Sequence, residues 1–400
     1  MTSVQLSLFD HVASCYAESG HRSLSNDDLY VRVAEKAGVS KDDLSHKTPI
    51  GKQGVARSLV TRKIRWFQQT LKSLGILERV PESRGEWRLT SAGRSKLTAA
   101  NDSIKMIGFA TDLGVAIWAR CESVFAGLGE QIHLTLTSPP YPLASARAYG
   151  NPSESEYVDF ICRTIEPLVK HLAPGGSICL NVSNDIFSRG SPARSLYLER
   201  LVLALSDRLG LSLMDRLVWR NPSKPPGPIQ WASIHRLQLN VEYEPVYWFT
   251  NDPSRVRSDN RRVLAPHTEQ QKSLIAKGGD QRTASYCDGA YRLKPGSFGN
   301  ETPGKIPRNV LSFSHNCSDQ RRYKAHCRDV GLPSNQAPMP LALAKFLVEF
   351  LTEPGDLVAD PFSGSFTTAK AAETLGRRWI GTEQMLEYVL GARSRFPMAS

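Results

Sequence analysis

Two short motifs in this chain combine residue types that can perform chemistry. The first, Thr137-Ser138-Pro139-Pro140-Tyr141, follows an apolar run and places a hydroxyl and an aromatic ring on a rigid Pro-Pro turn. The second, Asp360-Pro361-Phe362-Ser363-Gly364-Ser365, also follows an apolar run. A strand that stops at the first motif offers a pocket the size of a nucleobase. A strand that stops at the second offers a glycine turn on which a nucleoside cofactor can lie.

A carboxylate one strand after the glycine turn supports the cofactor interpretation. The chain after Ser365 predicts a helix that ends at Gly376 and then a strand, Trp379–Thr382, which finishes at Glu383. In α/β nucleoside sites an acid at this place accepts hydrogen bonds from the ribose hydroxyls. The spacing therefore predicts that Gly364 and Glu383 lie on one ligand.

Further polar residues follow other predicted strands. The segment Pro174–Asn181 predicts the next parallel strand, so Asn181 and Asn184 are candidates for a hydrogen bond to the substrate ring or to Ser138. An ordinary polar strand cap explains either asparagine equally well. Lys224, in a proline-rich loop after another strand, is either a phosphate contact or a solvent-facing lysine.

Composition limits the broad class of the protein. With 400 residues, 40% hydrophobic and 22% charged, the chain is expected to form two or three globular domains. It has no uninterrupted apolar run of roughly 18 residues and no signal sequence at its start, so we expect a cytoplasmic, nucleoid-associated protein without a membrane segment. Seven scattered cysteines favour reduced thiols over a disulfide framework.

The net charge of +11 is unevenly distributed. Residues 1–100 and 251–335 carry the whole positive excess, and the remainder of the chain is slightly acidic. Basic blocks on separate elements are the pattern expected of phosphate contacts along a duplex. A solvated basic face without a partner is the alternative.

The first hundred residues predict a small helical module. Leu29, Val33 and Ala34 share one helical face, and a second helix from Leu59 to Leu74 presents an apolar stripe beside several basic residues. A turn and a short strand at Trp87–Leu89 follow. This pattern resembles the winged-helix N-terminal domain of Mrr-type restriction proteins, which implies either DNA contact or a packing and dimer role. A linker is expected at 101–111.

Residues 251–335 are rich in Gly, Pro, Ser, Asn and Arg and show little helical or strand periodicity. A long irregular insertion in a compact domain is usually functional. Arg and Asn side chains read guanine and adenine edges, so this segment is interpreted as a target-recognition region. Its histidines and cysteines do not form a standard zinc-binding pattern, and we predict no metal.

Together the two motifs resemble the amino-methyltransferases of DNA, which transfer a methyl group from S-adenosyl-L-methionine (AdoMet) to an exocyclic base nitrogen. The catalytic motif precedes the cofactor motif, as in the circularly permuted β class. From about residue 130 to 390 the chain resembles N4-cytosine methyltransferases of the PvuII type. The resemblance implies an α/β fold with a Rossmann-like mixed sheet, preceded by the winged helix, and it implies double-stranded DNA as the partner. A homodimer and a companion restriction endonuclease are candidate further partners.

The resemblance also assigns roles to individual residues. The Ser138 side chain and the Pro139 carbonyl would accept the hydrogens of the amino group, and Tyr141 would stack on the extruded base. The predicted catalytic residues are Ser138, Pro139, Pro140, Tyr141 and Asn181. The predicted cofactor-binding residues are Asp360, Pro361, Phe362, Ser363, Gly364, Ser365, Thr367, Glu383 and Pro340.

The choice of base depends on position 138. Adenine-N6 members of the family mostly carry Asp or Asn there, so Ser138 favours N4 of cytosine, with N6 of adenine as the alternative. A non-catalytic winged-helix DNA-binding protein is a third hypothesis, which the intact motifs disfavour. The chain contains no Pro-Cys pair, which argues against methylation of a ring carbon.

Three positions depart from the family pattern. Phe366 stands where a glycine is usual, which predicts a tighter turn or a reshaped methionine pocket. Arg120 stands where an acid often lies over the adenine ring of the cofactor. In the stretch 335–340, which precedes Leu341, only Pro340 agrees with the family pattern. The domains are expected at 1–100 (winged helix), 105–250 (catalytic half), 251–335 (recognition region) and 336–400 (AdoMet-binding half).

Overall fold

The computed structural model describes residues 11–12, 15–16, 19, 23–50, 55–73, 76–81, 83–90, 98–101, 104–143, 151–335, 337–397 and 399. The predicted helix end at Leu74 lies outside these residues. In the described part of the chain, no helix is both long and apolar enough to span a membrane.

Within residues 23–50, 55–73, 76–81 and 83–90, the N-terminal module contains three helices and five short strands. They are β1 (Leu24–Ser25), α1 (Asn26–Ala37), α2 (Lys41–Ser45), β2 (Thr48–Ile50), β3 (Val55–Arg57), α3 (Leu59–Ser73), β4 (Leu77–Arg79) and β5 (Glu86–Leu89). Strands β1, β5 and β4 form one antiparallel sheet in that order, and β2 pairs with β3. Helices followed by a β4–β5 wing match the predicted winged helix.

Sequence signals explain how the module forms. Ser25 caps α1 by accepting from the Asp28 backbone N–H, and Gly38 ends the helix in the left-handed conformation. The predicted apolar faces of α1 and α3 are buried in one core, with Leu29, Val33 and Ile64 fully enclosed. Burial of these stripes supplies most of the stability of such short helices.

The rest of the chain forms one large α/β unit. Its strands are β6 (Lys105–Ala110), β7 (Gly114–Ala119), β8 (Ile132–Thr137), β9 (Leu172–Asn181), β10 (Ser212–Arg220), β11 (Tyr243–Thr250), β12 (Ala284–Tyr286), β13 (Tyr291–Leu293), β14 (Val310–Ser312), β15 (Leu357–Asp360) and β16 (Arg378–Glu383). Its α-helices are α4 (Cys121–Phe125), α5 (Tyr157–Lys170), α6 (Tyr197–Leu209), α7 (Glu269–Ala276), α8 (Ser318–Asp329), α9 (Leu341–Leu351), α10 (Thr367–Thr374) and α11 (Leu386–Ala392). Short 3₁₀ or π turns occur at Ile229–Ile234, Pro253–Arg255, Asn260–Val263, Cys287–Gly289 and Arg393–Arg395.

A nine-stranded mixed sheet organises this unit in the order β14-β10-β11-β9-β8-β15-β16-β7-β6. The five strands from β9 to β7 are parallel to one another. Strand β6 is the antiparallel edge, so the linker expected at 101–111 is wrong for Lys105–Ala110. That strand alternates weakly in polarity because an edge strand is only partly covered.

Helices cover both faces of the sheet. Along β15, Leu357 and Ala359 belong to the core under α5 and α6, whereas Val358 belongs to the core under α9 and α10. Successive side chains of a strand point to opposite faces. A strand that is buried on both faces therefore reads as a continuous apolar run, as Leu357–Ala359 does before the second motif. The strand before the first motif also contains His133 and Thr135.

The segment 251–335 has more regular structure than its composition predicts. It contains α7, the β12–β13 hairpin, β14 at the sheet edge, and the twelve-residue helix α8. The expectation of little helical period is wrong for α8 because this helix buries polar and aromatic side chains, among them Asp319, Gln320 and Tyr323. Such a face gives no apolar stripe in the sequence.

Hydrogen bonds join the N-terminal module to the α/β unit beside α11. The Ala100 backbone N–H donates to the Gln384 carbonyl at 2.7 Å, and Thr98 donates through its N–H and its hydroxyl to the Glu387 carboxylate. The apolar core of the module is continuous with that under α9 and α10.

Candidate active site

The ends of four parallel strands bring the predicted site residues to one edge of the sheet. Strand β8 leads into Ser138, β9 ends at Asn181, β15 ends at Asp360 and β16 ends at Glu383. Because the carboxyl ends of parallel strands meet at the same edge, ligands bind there in open α/β sheets. The two motifs, far apart in sequence, are therefore neighbours.

A cleft of about 1170 Å³ opens at this edge. The predicted residues that line it are Ser138, Pro139, Pro140, Tyr141, Pro361, Phe362, Gly364 and Glu383. The predicted residues that lie behind its wall are Asn181, Pro340, Asp360, Ser363, Ser365 and Thr367. The structure thus divides the predicted set into residues that line the cleft and residues that lie behind its wall.

Glu383 is a nearly buried carboxylate that lines the cleft. Its Oε2 accepts the Gly364 N–H at 2.7 Å, and its Oε1 accepts the Met385 N–H at 2.7 Å. Burial raises the pKa of Glu383 to about 7, and the nearby Asp360 carboxylate adds to the rise. A carboxylate held in this way presents its remaining lone pairs to two hydroxyl donors, as a ribose would supply.

Asp360 fastens the two motifs together. Its Oδ1 accepts the Thr137 hydroxyl at 2.6 Å and the Phe362 N–H at 3.1 Å. Burial raises the pKa of Asp360 to about 6, against the opposing effect of these hydrogen bonds. Asp360 therefore organises the turn without bordering the cleft.

The backbone conformation at position 364 favours glycine, and a larger residue there would have to displace the Asn335 side chain. The φ of Gly364 is +52°, and a methyl group built on it would lie 2.2 Å from Asn335 Nδ2. Because the Gly364 turn and Glu383 lie next to each other, the cleft fits AdoMet by its chemistry: the backbone can approach a ligand closely beside a carboxylate that can accept from a ribose.

Phe366 does not reshape the cleft. It also has a positive φ, of +58°, which is uncommon for a bulky residue. Its side chain is fully buried, and its ring centroid lies 5.4 Å from that of Phe109. The aromatic ring therefore points into the core, away from the ligand side, and the packing stabilises a turn in which glycine would be easier.

The remaining serine and threonine residues of the turn form hydrogen bonds with groups that lie behind the cleft wall. The Ser363 hydroxyl donates to the Asp360 carbonyl at 2.9 Å. Arg395 donates to the Thr367 hydroxyl at 3.0 Å and also to Ser365, and it forms a buried ion pair with Asp319 of α8. These residues shape the turn. The sequence pattern alone could not tell a role in shaping the turn from contact with a ligand. Pro340 is buried at the start of α9.

The Ser138 hydroxyl belongs to a chain of polar groups on the opposite side of the cleft. Its Oγ lies 3.0 Å from Tyr141 Oη, and Tyr141 donates to Glu244 Oε2 at 3.2 Å. Burial raises the pKa of Tyr141 well above its usual range, and the Glu244 carboxylate adds to the rise. The phenol therefore stays protonated.

Glu244 was missed by the sequence interpretation. It lies at the start of β11, borders the cleft, and also accepts from Lys224 Nζ at 3.3 Å and Asn181 Nδ2 at 3.4 Å. An acid at the beginning of the otherwise apolar strand Tyr243–Thr250 was the available signal. Asn181 is buried and bonds to Glu244 rather than to Ser138. Lys224, considered for a phosphate, has Glu244 as its partner.

Charged side chains of both signs line the cleft, including Arg120 and Glu122, whose side chains lie 3.9 Å apart. Arg120 thus stands at the cleft where the family resemblance places an acid. In the described ranges, no group of three or more His, Cys, Asp or Glu side chains is arranged to hold a metal ion.

Comparison with known proteins identifies the family. A family model described as DNA methylase matches residues 132–394, and one described as the Mrr N-terminal domain matches residues 7–99. The type II methyltransferase M.PvuII of Proteus hauseri is 35% identical over 267 residues, which cover 67% of this chain and 78% of that protein.

A second relative and a solved structure also match the chain. The DNA adenine methyltransferase YhdJ of Escherichia coli (strain K12) is 31% identical over 276 residues, covering 68% of this chain and 78% of that protein. The solved structure of the PvuII DNA methyltransferase, described as cytosine-N4-specific, is similar with a TM-score of 0.58 and 30% identity, covering 74% of this chain and 90% of that one. The predicted methyltransferase fold and the predicted N-terminal domain are confirmed. The DNA methylase match spans more than half of the 400 residues, and the chain therefore belongs to the DNA methylase family.

Proposed function

We propose that this protein transfers a methyl group from AdoMet to the exocyclic N4 of cytosine in double-stranded DNA. The observation that carries the proposal is the single cleft lined by Ser138 and Tyr141 on one side and by Gly364 and Glu383 on the other. Similarity to the cytosine-N4-specific PvuII enzyme supports the choice of base.

Each side of the cleft has its own task. AdoMet supplies an electrophilic methyl group, and Gly364 and Glu383 bind its nucleoside portion. The exocyclic amino group is a poor nucleophile because its lone pair is delocalised into the ring. Ser138 Oγ and the Pro139 carbonyl accept its hydrogens, which favours a tetrahedral nitrogen. Tyr141 stacks on the base, which must leave the duplex to reach the cleft.

Adenine N6 is the second candidate because the similar YhdJ protein is an adenine methyltransferase. The amino groups of both bases offer the same donors to Ser138. Ser138 in place of an acidic or amide side chain favours cytosine.

The basic segments contribute to DNA binding in this proposal. The winged helix (1–100) precedes the catalytic half (105–250), and the region 251–335 separates that half from the AdoMet-binding half (336–400). The winged helix and the region 251–335 both carry excess positive charge. Exposed Arg62 and Arg65 on α3 are suited to phosphate contacts. The genomic DNA of the nucleoid is the expected substrate. A second copy of the chain and a companion restriction endonuclease are further candidate partners.

Sequencing of genomic DNA from cells that express the protein, with detection of modified bases, identifies the product and its sequence context. Hydrolysis and mass spectrometry then distinguish N4-methylcytosine from N6-methyladenine. The Ser138→Ala variant is the matched control and should give no modified base while it retains AdoMet binding. Detection of N6-methyladenine alone would show that the target base is adenine and not cytosine. Absence of any methylated base would overturn the proposed function.

A further inference from the structure

Three side chains from two distant segments form a continuous polar path from the cleft to an acid. Ser138 and Tyr141 follow β8, whereas Glu244 begins β11. The distances are 3.0 Å from Ser138 Oγ to Tyr141 Oη and 3.2 Å from Tyr141 Oη to Glu244 Oε2. All three residues line the cleft. A catalytic hydroxyl is therefore two hydrogen bonds away from a carboxylate.

The acid fixes the direction of every hydrogen in this path. An ionised carboxylate can only accept, so Tyr141 must donate its proton to Glu244. The phenol oxygen then has only lone pairs left for Ser138, and the Ser138 hydroxyl must donate to it. The remaining lone pairs of Ser138 Oγ are consequently free to accept a hydrogen from an amino group in the cleft.

We propose that Glu244 is a positioning residue that makes Ser138 an acceptor, and that it receives, through Tyr141 and Ser138, the proton released by the target amino group. The inference rests on the proposed function, because it needs an amino group that is methylated at Ser138. It deepens that function by assigning the destination of the proton.

The transfer balances in atoms and charge. A C–N bond forms on the amino nitrogen as the methyl carbon separates from the sulfonium sulfur, which keeps the bonding electrons. One N–H bond of the amino group breaks, and its proton passes to Ser138 Oγ. Ser138 passes its own proton to Tyr141, and Tyr141 passes its own to Glu244. Methylated base, neutral thioether and a protonated Glu244 remain.

The surroundings of Glu244 suit this role. Lys224 Nζ lies 3.3 Å from it, and Asn181 Nδ2 lies 3.4 Å from it, so donors on β9 and after β10 stabilise the carboxylate. His315 and Tyr197 also interact with it electrostatically. Burial lowers the pKa of His315 and raises that of Tyr197, which keeps both neutral near pH 7. Because Glu244 and Lys224 border the cleft, the proton can leave to solvent.

The decisive experiment compares Glu244→Gln, Tyr141→Phe and the double variant in the full-length protein. Gln keeps the shape of Glu244 but cannot take a proton, and Phe keeps the stacking ring but breaks the path. Glu242→Gln is the matched control. Glu242 lies just before β11, is exposed to solvent and pairs with Arg220. Single-turnover methylation is measured across pH at saturating AdoMet and DNA.

Each single variant should lose about a hundredfold in rate, as expected for removal of a general base. The double variant should lose no more than the worse single variant, because both changes interrupt one path. The acid limb of the wild-type pH profile should vanish in Glu244→Gln. AdoMet affinity, and the fluorescence of 2-aminopurine placed at the target base, should stay as in the wild type.

Several outcomes would overturn the proposal. Losses that multiply in the double variant would show two independent effects, and an acid limb that persists in Glu244→Gln would exclude Glu244 as the proton acceptor. Loss of base extrusion or of AdoMet binding in Glu244→Gln would reduce Glu244 to a structural support. If the wild type methylates DNA and Glu244→Gln does so at the same rate, the proton path is wrong and the proposed function stands. Absence of any methylated base with the wild type would overturn the proposed function as well.

Discussion

The backbone N–H of Gly364 donates to Glu383 Oε2 at 2.7 Å, so the turn after β15 is tied to the carboxylate that ends β16. The same acid accepts the Met385 N–H at 2.7 Å. Because Glu383 both shapes the turn and faces the cleft, its protonation state should control cofactor binding.

AdoMet affinity should therefore depend on pH through Glu383. Ribose hydroxyls donate to the ionised form, and burial raises the pKa of Glu383 to about 7. We expect affinity to rise with pH and to level off above about pH 7, with close to a tenfold change per pH unit on the acid side. Calorimetry from pH 5.5 to 8.5 measures this dependence.

Glu383→Gln should bind AdoMet weakly and with little pH dependence. Loss of charged hydrogen bonds to a ribose costs about 1–3 kcal/mol. Glu130→Gln is the control, because Glu130 pairs with Arg378 at the opposite edge of the sheet. Equal affinities and equal pH profiles in the wild type and Glu383→Gln would contradict the cofactor assignment.

Asp360 and Glu383 should make the ligand-free protein less stable as pH rises. Their pKa values increase on folding, from 3.8 to about 6 for Asp360 and from 4.5 to about 7 for Glu383. The folded state then binds more protons than the unfolded state between these values, so the free energy of unfolding falls with pH. The destabilisation is absent below pH 3.8 and complete above about pH 7.

Denaturant unfolding at several pH values tests this sign. Asp360→Asn removes one of the two titrations, so its free energy of unfolding should fall less steeply between pH 4 and pH 7 than that of the wild type. A steeper fall in the variant would show that the pKa of Asp360 is lowered on folding instead.

Gly364→Ala should disrupt the cofactor turn. A methyl group at this position meets Asn335 Nδ2 at 2.2 Å, and the φ of +52° disfavours any Cβ by about 1–2 kcal/mol. We expect weaker AdoMet binding with a modest loss of stability. Gly129→Ala has open space around its Cβ and should bind AdoMet normally. Normal binding by Gly364→Ala would show that the turn does not approach the cofactor.

The basic face of α3 should contribute to DNA affinity. If Arg62 and Arg65 contact phosphates, each alanine substitution should lower affinity and reduce the slope of log K against log salt by about 0.9. Arg378→Ala removes a charge at the sheet edge away from the cleft and should leave the slope unchanged. Unchanged slopes in all three variants would assign the winged helix a packing or dimer role.

Local sequence determined the fold class and the two motifs. Apolar runs such as Leu357–Ala359 predict strands because a strand buried on both faces has no polar side, and Gly364 marks the turn because a positive φ favours glycine. Ser25 and Gly38 likewise mark the ends of α1. These signals lie within a few residues of the structure that they specify.

The tertiary structure decided which polar residues line the cleft. Asp360 and Ser363 lie behind the wall and Glu244 lies on the cleft, although sequence suggested the first two and not the third. Strand β11 joins the sheet between β10 and β9, which brings Glu244 to Tyr141 from 103 residues away. Contacts at that separation depend on strand order and register, which no local pattern encodes.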